Sequence, residues 1–322
     1  MNELQGFVDL LKRTPPFSGV VPAGHTVDFL GTLTSTRFSG DAHFSPETRS
    51  ERRVATAAPT VTDGEVWFEA VDWFEAAREA RGRFVMVTLG AWYGAQAVGS
   101  YRALQRLNPL PCKLVAVEPE PGKFAQLGQH MRTNGIDPAD HWLVRAAISD
   151  SNDPVLFPLG APATGRHNCI ATNEAEERAR YVNEIIASGQ LEPALRDLLL
   201  RNSTGLRRNL REGDEFVAEI GFVSAVTLAD ILGPFDRVDL LEADIQQSEV
   251  LVFPFFMPHL QRKVRRVHIG THGDAAHDLL LDLFTRNGWT IVFNYGPDRL
   301  HETAFGAFRT SDGILTAVNP GL

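Results

Sequence analysis

The stretch Phe84-Val85-Met86-Val87-Thr88-Leu89-Gly90-Ala91-Trp92-Tyr93-Gly94 decides how this chain folds. Six residues pass without a charge, as a strand buried on both faces requires. Two glycines four residues apart then let the backbone turn tightly and approach a ligand with no Cβ in the way. Ala97, Val98, Tyr101 and Leu104 follow at helical spacing. The pattern repeats downstream. Residues 113–117 read as a second strand, and Phe124, Leu127 and Met131 mark a helix that closes near Asn134-Gly135. Residues 142–148 read as a third strand. Strand, helix, strand, helix, strand implies a parallel sheet with right-handed crossovers.

The alternation pauses for about ninety residues. Residues 149–165 read as a loop rich in Pro, Gly, Asp and Ser. Residues 174–200 look helical, with Ala175, Ala179, Val182 and Ile186 in step, and 213–225 look extended. A short helix is expected over 227–232. Strands are then expected over 238–243 and 265–269, a helix over 274–287 with Ala276, Leu279, Leu280, Leu283 and Phe284 on one face, and closing strands over 289–294 and 314–318. Upstream, Ala70, Trp73, Phe74 and Ala77 share one helix face behind the start signal Asp63-Gly64-Glu65. That aromatic stripe reads as core packing. Residues 1 to about 60 are broken by turn residues and read as an arm covering part of the core, with an extended piece over 26–33. A mobile tail is the alternative for 37–60.

The 322 residues carry 40 acidic and 31 basic side chains, a formal charge of −9. A phosphate-tracking binder usually carries a basic surplus, so no nucleic-acid partner is expected. The longest apolar runs, such as 250–258, fall short of the ~20 residues of a spanning helix, and no membrane association is expected. Residues 1–13 lack the basic start and apolar run of a secretory signal. Cys112 and Cys169 form no CxxC pair, so neither a disulfide scaffold nor a structural zinc is expected. A cytoplasmic protein is the resulting expectation.

The first turn is neither GxGxxG nor GxxxxGK[ST], so the phosphate cradles of those motifs are missing. Glu118 ends the second strand, 24 positions after Gly94. A carboxylate there can accept hydrogen bonds from both ribose hydroxyls of an adenosine. A solvated or capping Glu is the plainer reading. Small residues at the end of the third strand, Ala146 and Ala147, would leave room for an adenine ring.

Together, the run Leu89 to Gly94, Val117-Glu118-Pro119, the third strand and Val238-Asp239-Leu240-Leu241-Glu242-Ala243-Asp244-Ile245-Gln246-Gln247-Ser248-Glu249 resemble the FkbM family of S-adenosylmethionine-dependent methyltransferases, over roughly residues 82–296. Trp92 stands where that family often has Asn, and Gln247-Ser248 replaces a common Gly-Ala. The resemblance implies an α/β fold, class I methyltransferase-like (Rossmann-like), with a doubly wound, mostly parallel sheet. An N-terminal arm and helix over 1–81 would pack on a methyltransferase domain over 82–322, with a helical and loop insertion at about 149–225. It implies that Gly90, Ala91 and Gly94 line the methionine part of S-adenosyl-L-methionine, whose product is S-adenosyl-L-homocysteine, and that Leu89 and Trp92 of the same turn also belong to the cofactor site. Glu118 would bind the ribose, and Ala147 or its neighbours would border the adenine. The acceptor implied is a hydroxyl on a small molecule, sugar or natural product.

An alcohol acceptor needs a base or a metal that lowers its pKa. Asp244, at the end of the fourth strand, is the first candidate, with a helix-capping Asp as its plainer reading. His268 and His272 on the fifth strand are further candidates for the base, since imidazole titrates near neutrality. A divalent metal on Asp244 with His268 or His272 stays open, but no compact ligand motif supports it. Arg166-His167-Asn168-Cys169 reads as a closing loop or a surface turn, and Arg201, Arg207, Arg208 and Arg211 as an anion-greeting cluster or a solvated face. Two other readings remain: an NAD-type oxidoreductase, which the missing GxGxxG disfavours, and a module that keeps the fold without turnover. Oligomeric state is not legible.

Overall fold

The computed structural model describes residues 4–38, 46–159, 211–212, 215–216, 219–246 and 248–322. Seven strands form the central sheet: β1 (Phe84–Leu89), β2 (Cys112–Val117), β3 (Trp142–Val144), β4 (Leu240–Ala243), β5 (Arg266–Thr271), β6 (Thr290–Tyr295) and β7 (Gly313–Val318). Their spatial order is β3-β2-β1-β4-β5-β7-β6. The first five are parallel, and β7 runs antiparallel to both β5 and β6. Among the described residues, the long helices that flank the sheet are α1 (Glu65–Glu79), α2 (Ala95–Leu107), α3 (Pro121–Thr133), α4 (Glu249–Lys263) and α5 (Asp274–Arg286). The expected doubly wound, mostly parallel, Rossmann-like sheet is present. Strand order reverses between β1 and β4, and ligands bind such folds in the crevice at that reversal, beyond the carboxyl ends of the strands.

Side-chain alternation divides the core into two. Phe84, Met86, Leu114, Ala116, Leu240 and Ile314 face one apolar cluster with residues of α1 and α2. Val85, Val87, Leu89, Leu241, Ala243, Val267 and Ile269 face the other, with Phe253, Leu260, Leu280 and Phe284 of α4 and α5. Helix α1 packs closely on α2. A Cβ on Gly99 would sit 2.5 Å from the Trp73 ring, so only a glycine admits that indole. The stripe Ala70, Trp73, Phe74 and Ala77 is fully in the core.

Several local expectations need correction. The third strand does not run unbroken over 142–148. It is an edge strand with one partner, and past Val144 the backbone changes partner, so that Ala147–Ser149 pairs in parallel with Ala225–Thr227. Within the expected loop over 149–165, Val155–Leu159 pairs antiparallel with Glu219–Val223. Pro158 disguises that strand, while buried Val155 and Phe157 supply its alternation. Helix α4 is an addition to the expected elements, masked in the sequence by Pro254 and Pro258 inside it. Prolines cost a helix dearly, but here buried Val252, Phe253, Phe256, Met257 and Leu260 hold it to the sheet. Leu279 is exposed, and His277 takes the buried place, hydrogen-bonded to Thr271 and Asn294. The hairpin Leu300–Thr303 with Gly306–Arg309 is a further addition. The expected helix over 174–200 lies outside the described residues.

Upstream of α1, Ser18–Val21 pairs with Arg52–Ala55, and His25–Val27 with Leu33–Ser35. Asn134 at the end of α3 bonds both the N–H and the carbonyl of Leu33, and Phe38 stacks on Tyr93. No helix among the described residues is long and apolar enough to cross a membrane.

Gly99→Ala is expected to cost about 1–3 kcal/mol through overpacking against Trp73, read as a fall of several degrees in Tm. An unchanged Tm would mean that the indole has room to move.

Candidate active site at the sheet reversal

The reversal point is built from backbone. Gly90 and Gly94 have φ of 77° and 83°, and Trp92 between them has φ 47°. A Cβ on Gly90 would fall well inside contact distance of the Asp244 carbonyl oxygen. The two loops that follow β1 and β4 therefore touch at this glycine, and Asp244 N–H donates to the Leu89 carbonyl at 3.0 Å. A Cβ on Gly94 would strike Leu127 of α3. This glycine turn, the cradle of the site, is pinned to the end of β2, since the N–H groups of Gly90 and Ala91 both donate to the Val117 carbonyl.

Glu118 closes one side of the cradle. It is 4% exposed. One carboxylate oxygen accepts from the Trp92 N–H at 2.8 Å and the other from the Glu120 N–H at 2.9 Å. Burial pushes its pKa up, while Lys123 and the two amides act against that rise. Lys123 also lies 5.6 Å above the Trp92 ring. A carboxylate has about four acceptor positions, so two remain for a ligand's hydroxyls. Glu118 N–H donates to the carbonyl of Val144. Val144 is thus the third-strand residue bonded to Glu118, and Ala147, beyond the break, is buried in the small sheet with Ala225.

On the other side of the reversal, one row of side chains crosses the sheet under α1. Thr88, Glu242, His268 and Thr316 are register partners on β1, β4, β5 and β7. Helix α1 lays Glu65, Glu69 and Asp72 over this row at i, i+4 and i+7, one helix face. Asp72 is the hub. It accepts from Arg266 Nη1 at 2.8 Å and from Thr316 Oγ1 at 2.6 Å, and bonds His268 Nδ1 at 2.7 Å. Trp73 Nε1 reaches Glu242 at 3.5 Å, and Gln96 reaches Glu69 at 3.3 Å.

Charge is crowded here, and the pKa directions follow. Burial raises Glu242 well above the ordinary carboxylate range, with Glu69 adding to the rise. Burial likewise raises Glu69. Glu65 is pushed up to about 8 by burial and by the neighbouring Glu69 and Asp244. Burial works against a charged His268, but the Asp72 hydrogen bond outweighs it and raises the pKa.

At the open edge, Asp244 is half exposed. Its carboxylate faces His272 Nε2 at 3.3 Å and accepts from Gln246 Nε2 at 2.7 Å. His272 also lies 3.6 Å from Asp312. Burial lowers His272, yet Asp244, Glu249 and Asp312 overcome this and lift it to about 9. At neutral pH it is therefore an imidazolium. Buried Glu249 accepts from the Ile245 N–H, and burial raises it to about 7.

The structure thus brings Asp244 and His272 together, and separates His268 from them by engaging it with Asp72. Among the described residues, the group able to hold a metal is Glu69, Glu242 and His268, and not Asp244 with a histidine. Sequence reasoning missed Glu65, Glu69 and Asp72 because it read α1 only by its apolar face; their own i, i+4, i+7 spacing was the available signal. The segment Arg166–Cys169, Gln247 and the side chains of Arg201, Arg207, Arg208 and Arg211 lie outside the described residues.

No known protein family matches the chain, and no curated protein does. Similar solved structures include a precorrin-6y C5,15-methyltransferase from Geobacter metallireducens, 9% identical, covering 81% of this chain and 92% of that one at a TM-score of 0.38. A ribosomal protein L11 methylase from Lactobacillus delbrueckii subsp. bulgaricus is 10% identical, covering 79% of each chain at 0.35. A protein of the NADB-Rossmann superfamily from Streptococcus agalactiae is 9% identical, covering 77% and 67% at 0.34. Likenesses this distant assign no activity. The class I methyltransferase-like, Rossmann-like fold rests on the strand order and the reversed β7 described above.

Glu249 yields a pH prediction. Its carboxyl ionises near 4.5 when unfolded and near 7 when folded. The folded state binds more protons between those values, so stability falls as pH rises through this window and levels off above about 7. The penalty is of order 2–4 kcal/mol, set against the attraction of nearby His272. Glu249→Gln is expected to flatten this fall, so that its Tm relative to wild type rises between about pH 5 and pH 8. Parallel Tm profiles for the two proteins would contradict it.

Proposed function

We propose that the protein is an S-adenosylmethionine-dependent methyltransferase that methylates a hydroxyl on a small molecule, sugar or natural product. The observation that carries this reading is the junction of Gly90 with Asp244. It sets a glycine cradle and a ribose-competent carboxylate, Glu118, directly against an acidic cleft. The residues fit the cofactor. Gly90 is required where the two loops touch, because a Cβ there would strike the Asp244 carbonyl oxygen, and Glu118 keeps acceptor positions for two hydroxyls beside that turn. Asp244 touches the cradle at Gly90, and Asp312 and Glu249 gather with it around His272. A sulfonium cation suits such surroundings, whereas the pyrophosphate of NAD would meet like charge.

Bound there, the cofactor supplies an electrophilic methyl group and departs as a neutral thioether. The chain's task is to hold the acceptor in line and take one proton. Asp244 is the residue for that proton, since it stands at the strand end with its carboxylate half open to solvent. His272, held as an imidazolium, fixes the Asp244 carboxylate and is itself unsuited to act as a base near neutrality. His268 lies deeper, bonded to Asp72, so it positions the floor of the cleft.

Calorimetric titration is expected to show binding of S-adenosylmethionine and S-adenosylhomocysteine and none of NAD. Preferential NAD binding would overturn the reading. Glu118→Gln should weaken both adenosyl ligands about 10–100-fold, through loss of charge-assisted bonds to ribose. Asp244→Asn should bind the cofactor as wild type does. Its transfer of labelled methyl to a panel of monosaccharide and phenol acceptors should fall at least ~100-fold. Full transfer by that variant would remove Asp244 from the proton step.

A further inference from the structure

We propose that Glu69, Glu242 and His268 bind a divalent first-row metal ion, of the zinc or manganese class, on the floor of the acidic cleft. The three residues come from α1, β4 and β5, and one ligating atom of each lies within 4.8 Å of the others. His268 is 2% exposed, and its Nε2 has no hydrogen-bond partner. Its other ring nitrogen is bonded to Asp72 at 2.7 Å. That is the arrangement of a metal-ligating histidine, in which a carboxylate behind the ring fixes its orientation and the opposite nitrogen faces the ion. Thr88 Oγ1, the register neighbour of Glu242, is also buried without a partner.

Charge leads to the same place. Arg266 pairs with Asp72, on the far side of the imidazole, at 2.8 Å. Among the described residues, neither Glu69 nor Glu242 is paired with an Arg or Lys. Two facing carboxyl groups, largely buried between α1 and the sheet with no Arg or Lys between them, are costly to ionise. A divalent ion would supply the missing charge. Two carboxylates and an imidazole are a nitrogen and oxygen donor set suited to zinc or manganese, with a position left over for water. A tetrahedral site with bonds of ~2.0 Å has edges of ~3.3 Å, so binding would draw the glutamates inward from their present spread. Glu69 is partly exposed, which gives an ion a way in from the cleft.

The test uses the metal alone, with no methyl donor, so its outcome is separate from that of the proposed activity. The full chain is dialysed against EDTA and titrated by calorimetry with zinc chloride, and separately with manganese chloride. Bound metal is counted by elemental analysis. One equivalent per chain and a rise in Tm are expected with at least one of the two ions. Glu242→Gln and Glu69→Gln should each lower affinity at least ~100-fold, and Asp72→Asn, acting through His268, about 10–100-fold. Asp244→Asn should leave stoichiometry and affinity unchanged. Should Glu242→Gln fail to fold, Glu69→Gln carries the test, because Glu69 is partly exposed. No stoichiometric uptake of either ion would overturn the proposal. So would uptake undiminished in Glu69→Gln, or uptake lost in Asp244→Asn.

Discussion

The carboxylate of Asp72 holds the molecule together at its most demanding point. It is fully buried and serves Arg266, His268 and Thr316 at once. Those partners lie on β5 and β7, so one side chain ties α1 to two strands of the sheet. A lone buried carboxylate would be ruinous, and this one is tolerable only because all three donors converge on it. The position of α1 follows from that convergence. So does the placing of Glu69 and Glu65, one and two turns nearer the open edge of the sheet.

Polarity increases along the strands on this face. Met86, Leu240 and Val318 make an apolar row broken by Arg266. The next row is Thr88, Glu242, His268 and Thr316, and beyond it come Gly90, Asp244 and Gly270, with apolar Ile314 as the β7 partner of Gly270. The opposite face is apolar over Val85, Val87, Leu89, Leu241, Ala243, Val267 and Ile269. One face therefore supplies stability, and the other gives up apolar burial to hold charged groups beside the crevice. The helix directions fit this gradient, because α1 begins at the open edge with Glu65 and ends near the start of β5, where Glu79 pairs with Arg265.

The elements legible in the sequence were those with a single strong period. β1, β2, α2, α3 and α5 come from unbroken apolar runs or clear helical stripes, and they define the sheet and its reversal. Gly90, Gly94, Glu118 and Asp244 were legible too, because each follows directly from a strand end. What escaped was decided by distant partners. α4 carries two prolines, and only its packing keeps it helical. The break after Val144 depends on strand Ala225–Thr227, some eighty residues on. The buried carboxylates of α1 were hidden by an apolar pattern strong enough to explain that helix unaided. The division of labour between His268 and His272 depends on which carboxylate each meets, and sequence spacing does not show that.

The last of the seven strands to be synthesised, β7, is not at the sheet's edge. It lies between β5 and β6, and among the described residues it is the only sheet partner of β6. While the ribosome is still short of residue 313, β6 has no neighbour and the flank of β5 is bare. Thr316, one of the three donors to Asp72, is also missing at that stage. A nascent chain can thus assemble the cradle around β1 and β2 early, but the charged floor of the cleft is complete only after the final insertion. Until then, a bare flank of β5 and a carboxylate lacking one of its partners are exposed together, which makes this interval the vulnerable one in the protein's biogenesis.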